Sequence, residues 1–235
     1  MILKKRIAQL LPYLFLICFI GTPLPALAGS GSSCPAAPMP HVSMESVIES
    51  TTYKETKSAR DLAEWSGNEN RALPLGLSVG ETGLKLNARY AYKPSPDKQK
   101  FCLNLENLEA VYYAKPQINI ASNFPKTTCE YGVIMGHEQE HVRILQQFHR
   151  DYKDAMREQI QETAKKYAVF GPVDKADLDG AQEKALGKIS AAMESYREEI
   201  LKDLKKRQDA IDTTAEYVKL NAKCNSWDKR LSDTP

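Results

Sequence analysis

From Thr127 to Asn221 the chain is dominated by Lys, Glu, Gln and Ala, residues that enter a helix at little cost in side-chain freedom. Thr127-Thr128-Cys129-Glu130 has the Ser/Thr-x-x-Glu form of a capping box, so a helix is expected to start there and run to about Tyr167. Phe170-Gly171-Pro172 reads as the turn, and Asp174 as the cap of a second long helix reaching roughly Asn221. Residues 127–221 are therefore expected to form an antiparallel helical hairpin.

Upstream the periodicity changes. Leu84, Leu86, Ala88, Tyr90 and Tyr92 alternate with Lys85, Asn87 and Arg89, the period of a half-buried strand, before Pro94 and Pro96 break it. Further strands are expected at Phe101–Leu105, Leu108–Tyr113 and Gln117–Ala121, giving a sheet over about 83–122. The last of them, if it is an edge, could hold an extended peptide; an ordinary interior strand is the competing reading. A short helix is expected around Lys57–Trp65, ended by Ser66-Gly67. No internal repeat is visible. The fold class is α+β: a small N-terminal β-sheet followed by a long helical hairpin.

The first residues have the layout of an export signal. Lys4, Lys5 and Arg6 precede an apolar run from Ile7 to Ile20, and Ala26-Leu27-Ala28 supplies the small-residue pattern for cleavage after Ala28. The run falls short of the roughly 20 residues of a membrane span, and Pro12 interrupts it. A periplasmic or secreted protein is expected, with no stable membrane anchor after cleavage. Residues 29–43, rich in Gly, Ser and Pro, read as a flexible leader, leaving 44–224 as a single domain. Removing 1–28 leaves 29 basic side chains against 30 acidic ones, since all three charges lost are basic. Such a balance offers no basic stripe for nucleic acid. Cys34, Cys102, Cys129 and Cys224 remain, an even set that suits disulfides in an oxidising compartment. Three connectivities are open; the expected one is Cys102 with Cys129 and Cys34 with Cys224. A four-Cys zinc site would want a Cys-x-x-Cys pair, which is missing.

The residues that carry chemistry are His137-Glu138-Gln139-Glu140-His141, a His-Glu-x-x-His motif. On a helix, residues four apart share a face, so both imidazoles can reach one Zn2+ ion while Glu138 leans toward it as general base. Ile134, His137, His141, Leu145 and Phe148 recur at helical spacing, which puts the two histidines in the apolar stripe. His149, about 18 Å farther along that helix, reads as an exposed residue, and His41 as no ligand either. A Gln at 147 removes the third His of the metzincin pattern, so a carboxylate must complete the site. With both helices straight, Asp203 falls opposite residue 139, although Arg207 one turn on could be its ion partner.

With its export signal, the Cys before the strands and the zinc motif, the chain resembles a family of secreted bacterial zinc-dependent proteases. Gln208-Asp209-Ala210-Ile211-Asp212-Thr213 is similar to the Gln-x-x-Tyr-Asp pattern near that family's end, but Ile211 stands where Tyr is usual and no His-Gly follows Asp212. The resemblance implies a single metallopeptidase-like domain, zinc as cofactor, a peptide or protein substrate, and Asp212 as the acidic site residue. Asp212 and Asp203 thus both stand as third ligand, with Asp212 preferred because a bend near the turn could shift the register. The rival expectation is a non-catalytic envelope protein, a helical hairpin that binds a partner and keeps a structural or vestigial metal.

Overall fold

The computed structural model describes residues 33–67 and 73–232. The expected export signal at 1–28 and the first part of the leader, 29–32, lie outside them.

A 20-residue strand, β4 (Phe101–Ile120), organises the sheet. β3 (Gly76–Pro94) runs antiparallel along one side of it, with one register shift between Arg89 and Tyr90. On the other side three shorter strands follow one another: β5 (Val169–Val173) antiparallel, then β1 (His41–Ile48) and β2 (Thr52–Lys54) parallel. The sheet is therefore mixed and five-stranded. The three strands expected at 101–105, 108–113 and 117–121 are one strand, because the alternation is continuous. Leu108, Ala110, Tyr112, Ala114, Ile118 and Ile120 are buried, whereas Glu109 is exposed and Val111, Tyr113 and Lys115 are half-buried between them. Pro116, which has no N–H to give, falls where β1 has ended and β2 has not begun. Gln117–Ala121 is thus interior, and no edge is open there for a peptide.

Two further expectations are corrected here. Residues 33–43 are not all leader: Cys34 is bonded to Cys102, and His41 already opens β1. Phe170-Gly171-Pro172 lies inside β5, with Phe170 opposite Leu103.

Helices cover the buried face. α1 (Ala59–Trp65) starts at a complete capping box between Ser58 and Asp61. α2 (Cys129–Lys166) is capped by Thr128, not Thr127: its Oγ1 accepts from the Tyr131 N–H at 3.2 Å. Glu130 is released from the cap and is buried, accepting from the Ser226 N–H at 3.1 Å. The first half of α2 sets Ile134 and Val142 on Leu62, Ile118, Ile120 and Phe124. Its second half sets Phe148, Met156 and Ile160 on Leu103, Leu105 and Leu108, with Ile189 and Met193 of α3 (Leu178–Asp209) in the same cluster. Each such fully buried side chain contributes about 1.5–3 kcal/mol.

The second long helix stops early. α3 ends at Asp209, and a new helix, α4 (Thr214–Asn221), begins after a break, capped by Thr213 Oγ1 on the Glu216 N–H. Asp209, Ile211, Asp212 and Thr213 have weaker helix propensity than the Lys- and Glu-rich run before them, and Thr213 caps a new start better than it continues an old one. The last helix, α5 (Trp227–Ser232), returns Trp227 to Phe124.

The disulfides are Cys34–Cys102 and Cys129–Cys224, overturning the expected pairing. Each joins neighbours in space that sequence distance hides. β1 lies beside β4, so the residues before it reach the start of β4; and the chain after α4 comes back to the first turn of α2. Both bonds fit an oxidising compartment. No helix among the described residues is long and apolar enough to cross a membrane.

Candidate metal centre

The break after α3 decides which acid reaches the histidines. His137 Nε2 and His141 Nε2 lie 3.2 Å apart, and Asp212 Oδ1 is 3.1 Å from each. Both imidazoles are nearly enclosed, while the Asp212 side chain is 39 % exposed, so the triangle they form opens toward solvent on the Asp212 side. Asp203 is not part of the group. It pairs with Arg207 at 2.8 Å and accepts from the Tyr152 hydroxyl at 3.3 Å.

The donor set fits a cation. The Gln208 amide nitrogen donates to the His141 backbone carbonyl at 3.0 Å, which turns the amide oxygen toward His141 Nδ1. Nδ1 must then carry the proton, and Nε2 of neutral His141 presents a lone pair to a carboxylate oxygen and a second imidazole. Three lone-pair atoms this close repel unless a proton or a metal ion lies among them. For zinc, with bonds of about 2.0–2.2 Å to nitrogen and oxygen in tetrahedral array, neighbouring donors are expected roughly 3.3 Å apart. The observed spacing is close to that value.

The electrostatics agree with the geometry. Burial lowers the proton affinity of His141, but the neighbouring Asp212 carboxylate and Gln208 amide oxygen outweigh this and raise it. Burial raises the Asp212 carboxyl, yet the adjoining His137 and His141 rings and the Tyr217 hydroxyl hold it well below the usual carboxylate range. Glu138 is only 5 % exposed. Burial pushes it up to about 7, against the pull of His141, His137 and the Ser78 N–H.

Three residues that serve this site went unassigned in the sequence. Gln208 stands in the quoted motif, but its part in orienting His141 depends on the contact between α2 and α3. The Tyr217 hydroxyl donates to Asp212 Oδ1 at 2.9 Å, and its ring lies 5.6 Å from that of His137. On one continuous helix, Tyr217 would point about 140° away from Asp212, so only the break brings them together. Gly76 is the third: a Cβ there would lie 2.7 Å from Glu138 Oε1 and 2.5 Å from Ile134 Cγ2, so only glycine lets β3 pass this close to the general-base candidate. His149, expected on the surface, is 1 % exposed, stacked on Tyr112 at 4.0 Å and bonded to Ser46 Oγ at 2.9 Å; it belongs to the core. His41 is exposed at the head of β1.

Set against known protein families, curated proteins and solved structures, the chain matches none of them.

Proposed function

We propose that the chain is an exported zinc-dependent metallopeptidase, of the kind its sequence resembles. The observation that carries this reading is the convergence of His137 Nε2, His141 Nε2 and Asp212 Oδ1, with Glu138 buried beside them. Two imidazoles and one carboxylate are the donor set of a zinc site with one position left for chemistry, and less suited to magnesium or calcium, which prefer oxygen donors. Zinc held there supplies a Lewis acid that lowers the pKa of a water and polarises an amide carbonyl.

The chain's own groups do the rest. Glu138 accepts the proton of the attacking water and later returns it to the departing amine. The Ser78 N–H steadies that carboxylate, Gln208 fixes the ring of His141, and Tyr217 fixes the ligating oxygen of Asp212. The reading takes α2 and α3 as the arms of an antiparallel hairpin. Contacts between His141 and Gln208 and between Tyr152 and Asp203 support it, since one partner's number rises as the other's falls. Export is part of the same reading, supported by the signal-like first 28 residues and the two disulfides.

The test is metal analysis of the purified protein followed by cleavage of a peptide library. Near-stoichiometric zinc, lost in His141→Ala, together with cleavage lost in Glu138→Gln while zinc is retained, is the expected result. Absence of zinc binding sinks the proposal. Zinc binding without turnover on any peptide would favour a helical-hairpin binding protein with a structural metal.

A further inference from the structure

A cleft of about 650 Å³ starts at His137 and runs toward the first turn of α2. One wall is a single face of α2, with Gly132, Val133 and Gly136 between His137 and Cys129; Ile211, Leu220 and Lys223 stand opposite. The two glycines sit in the interior of a helix, where each costs about 1 kcal/mol relative to alanine. Packing does not require them: a Cβ on either would meet nothing within 4 Å. What they do provide is width, on the side of α2 that faces the cleft.

The far end has a distinct character. Cys129 belongs to one wall and is bonded to Cys224, next to Lys223 of the other, so the walls are covalently joined there. From Cys129 to His137 is eight residues of helix, about 12 Å at ~1.5 Å per residue. An extended peptide advances roughly 3.3 Å per residue, so about three residues fill that length. The charged groups of the lining are not equally available. Glu140 is held by Arg143, and Glu216 pairs with Lys219 at 3.3 Å. Among the described residues Lys223, which also lines the cleft, forms no ion pair.

We propose that this cleft receives the last two or three residues of a peptide chain, with the terminal carboxylate on Lys223, so that the site removes short C-terminal fragments. This rests on the metallopeptidase reading and narrows its substrate class. Hydrolysis breaks the amide C–N bond about three residues from the chain end. The water's OH goes to the acyl carbon, its proton to the departing nitrogen, and the fragment leaves carrying the free carboxylate that held it. Val133, Ile211 and Leu220 favour apolar side chains in that fragment.

The experiment uses the tripeptide Leu-Ala-Leu as probe, as the free acid and as the C-terminal amide, titrated calorimetrically into the purified zinc-supplied protein. The free acid is expected to bind about tenfold more tightly than the amide, the contribution of one charge-assisted hydrogen bond. Lys223→Met should erase that difference. Gly136→Leu should weaken both peptides by more than about tenfold without lowering the melting temperature, because the added side chain enters open space and leucine favours helix. Cleavage of a peptide should slow by about tenfold or more when five residues are added after the third position beyond the scissile bond. Equal binding of acid and amide, or undiminished cleavage of the longer peptide, overturns the inference while leaving the metallopeptidase intact. A protein that takes up no zinc and cuts no peptide fails at the earlier step instead.

Discussion

Gln208 holds one ring of the candidate cluster without belonging to the cluster itself. Its amide spans the backbone carbonyl and the ring of His141, and so selects the tautomer that leaves Nε2 free. Residues of this kind typically account for a 10- to 100-fold change in metal affinity. Gln208→Leu is therefore expected to weaken zinc binding by at least about tenfold, measured by chelator competition, with an unchanged circular dichroism spectrum. His149 tells a different story in the core. Burial, with help from Arg150 and Lys153, lowers its pKa to about 4, and the unfolded chain returns it to the ordinary 6.5. The native state thus refuses a proton that the unfolded state accepts, so stability is complete above pH 6.5 and falls as pH drops toward 4. The slope from this one group reaches about 1.4 kcal/mol per pH unit. Thermal melts of His149→Phe between pH 6.5 and 4.5 should decline less steeply than those of the parent protein. The Nε2 bond to Ser46 and the stacking on Tyr112 give that prediction its geometry.

Among the elements, the stretch from Ala210 to Cys224 has the most unusual burden. It carries Asp212 and Tyr217, yet no residue of α4 is buried, and its far end is fixed to α2 by Cys129–Cys224. Closing 95 residues of chain restricts the unfolded state by about 4–5 kcal/mol in the loop-entropy picture. The bond also acts locally, because it ties the stretch that carries Asp212 to the helix that carries both histidines. Cys129→Ala with Cys224→Ala should lower zinc affinity by about tenfold or more, whereas Cys34→Ala with Cys102→Ala, at the other end of β4, should lower the melting temperature and leave zinc affinity close to that of the parent. Equal loss in both pairs would refute this role for the bond. The same stretch marks where the sequence became hard to read. Long helix formers give 127–221 the pattern of two unbroken rods, and on unbroken rods Asp203 is the acid opposite residue 139. The pattern Thr213-x-x-Glu216, a second capping signal inside the presumed helix, was the visible clue to the break.

At the scale of the molecule, only patterns confined to one helical turn or one strand are legible in the sequence. The His-Glu-x-x-His pair needs only one helical turn, and the alternation of β3 and β4 is plain in their residues. Pairings between distant segments were not legible. β1 joins β4 across 66 positions, from His41 to Asn107, and no local pattern encodes which strand is the neighbour. The disulfide pairing is hidden in the sequence for the same reason. The three candidate donors also come from distant segments, His137 and His141 on one side and Asp212 some 70 residues later, so the cluster exists only in the folded chain. Zinc should accordingly raise the melting temperature, as any ligand of the native state does. Asp203→Asn is expected to keep that rise and Asp212→Asn to abolish it, read by calorimetry with and without chelator.

β4 touches every other strand, and three of the four contact it along a single flank. A nascent chain emerging N-terminus first therefore holds β1 unmated until residues 107–114 have appeared, and β2 until 117–119 have. During that wait they are open to pairing with a second chain, the route by which sheets clump. Once β4 is out, it is the template on which all the others dock.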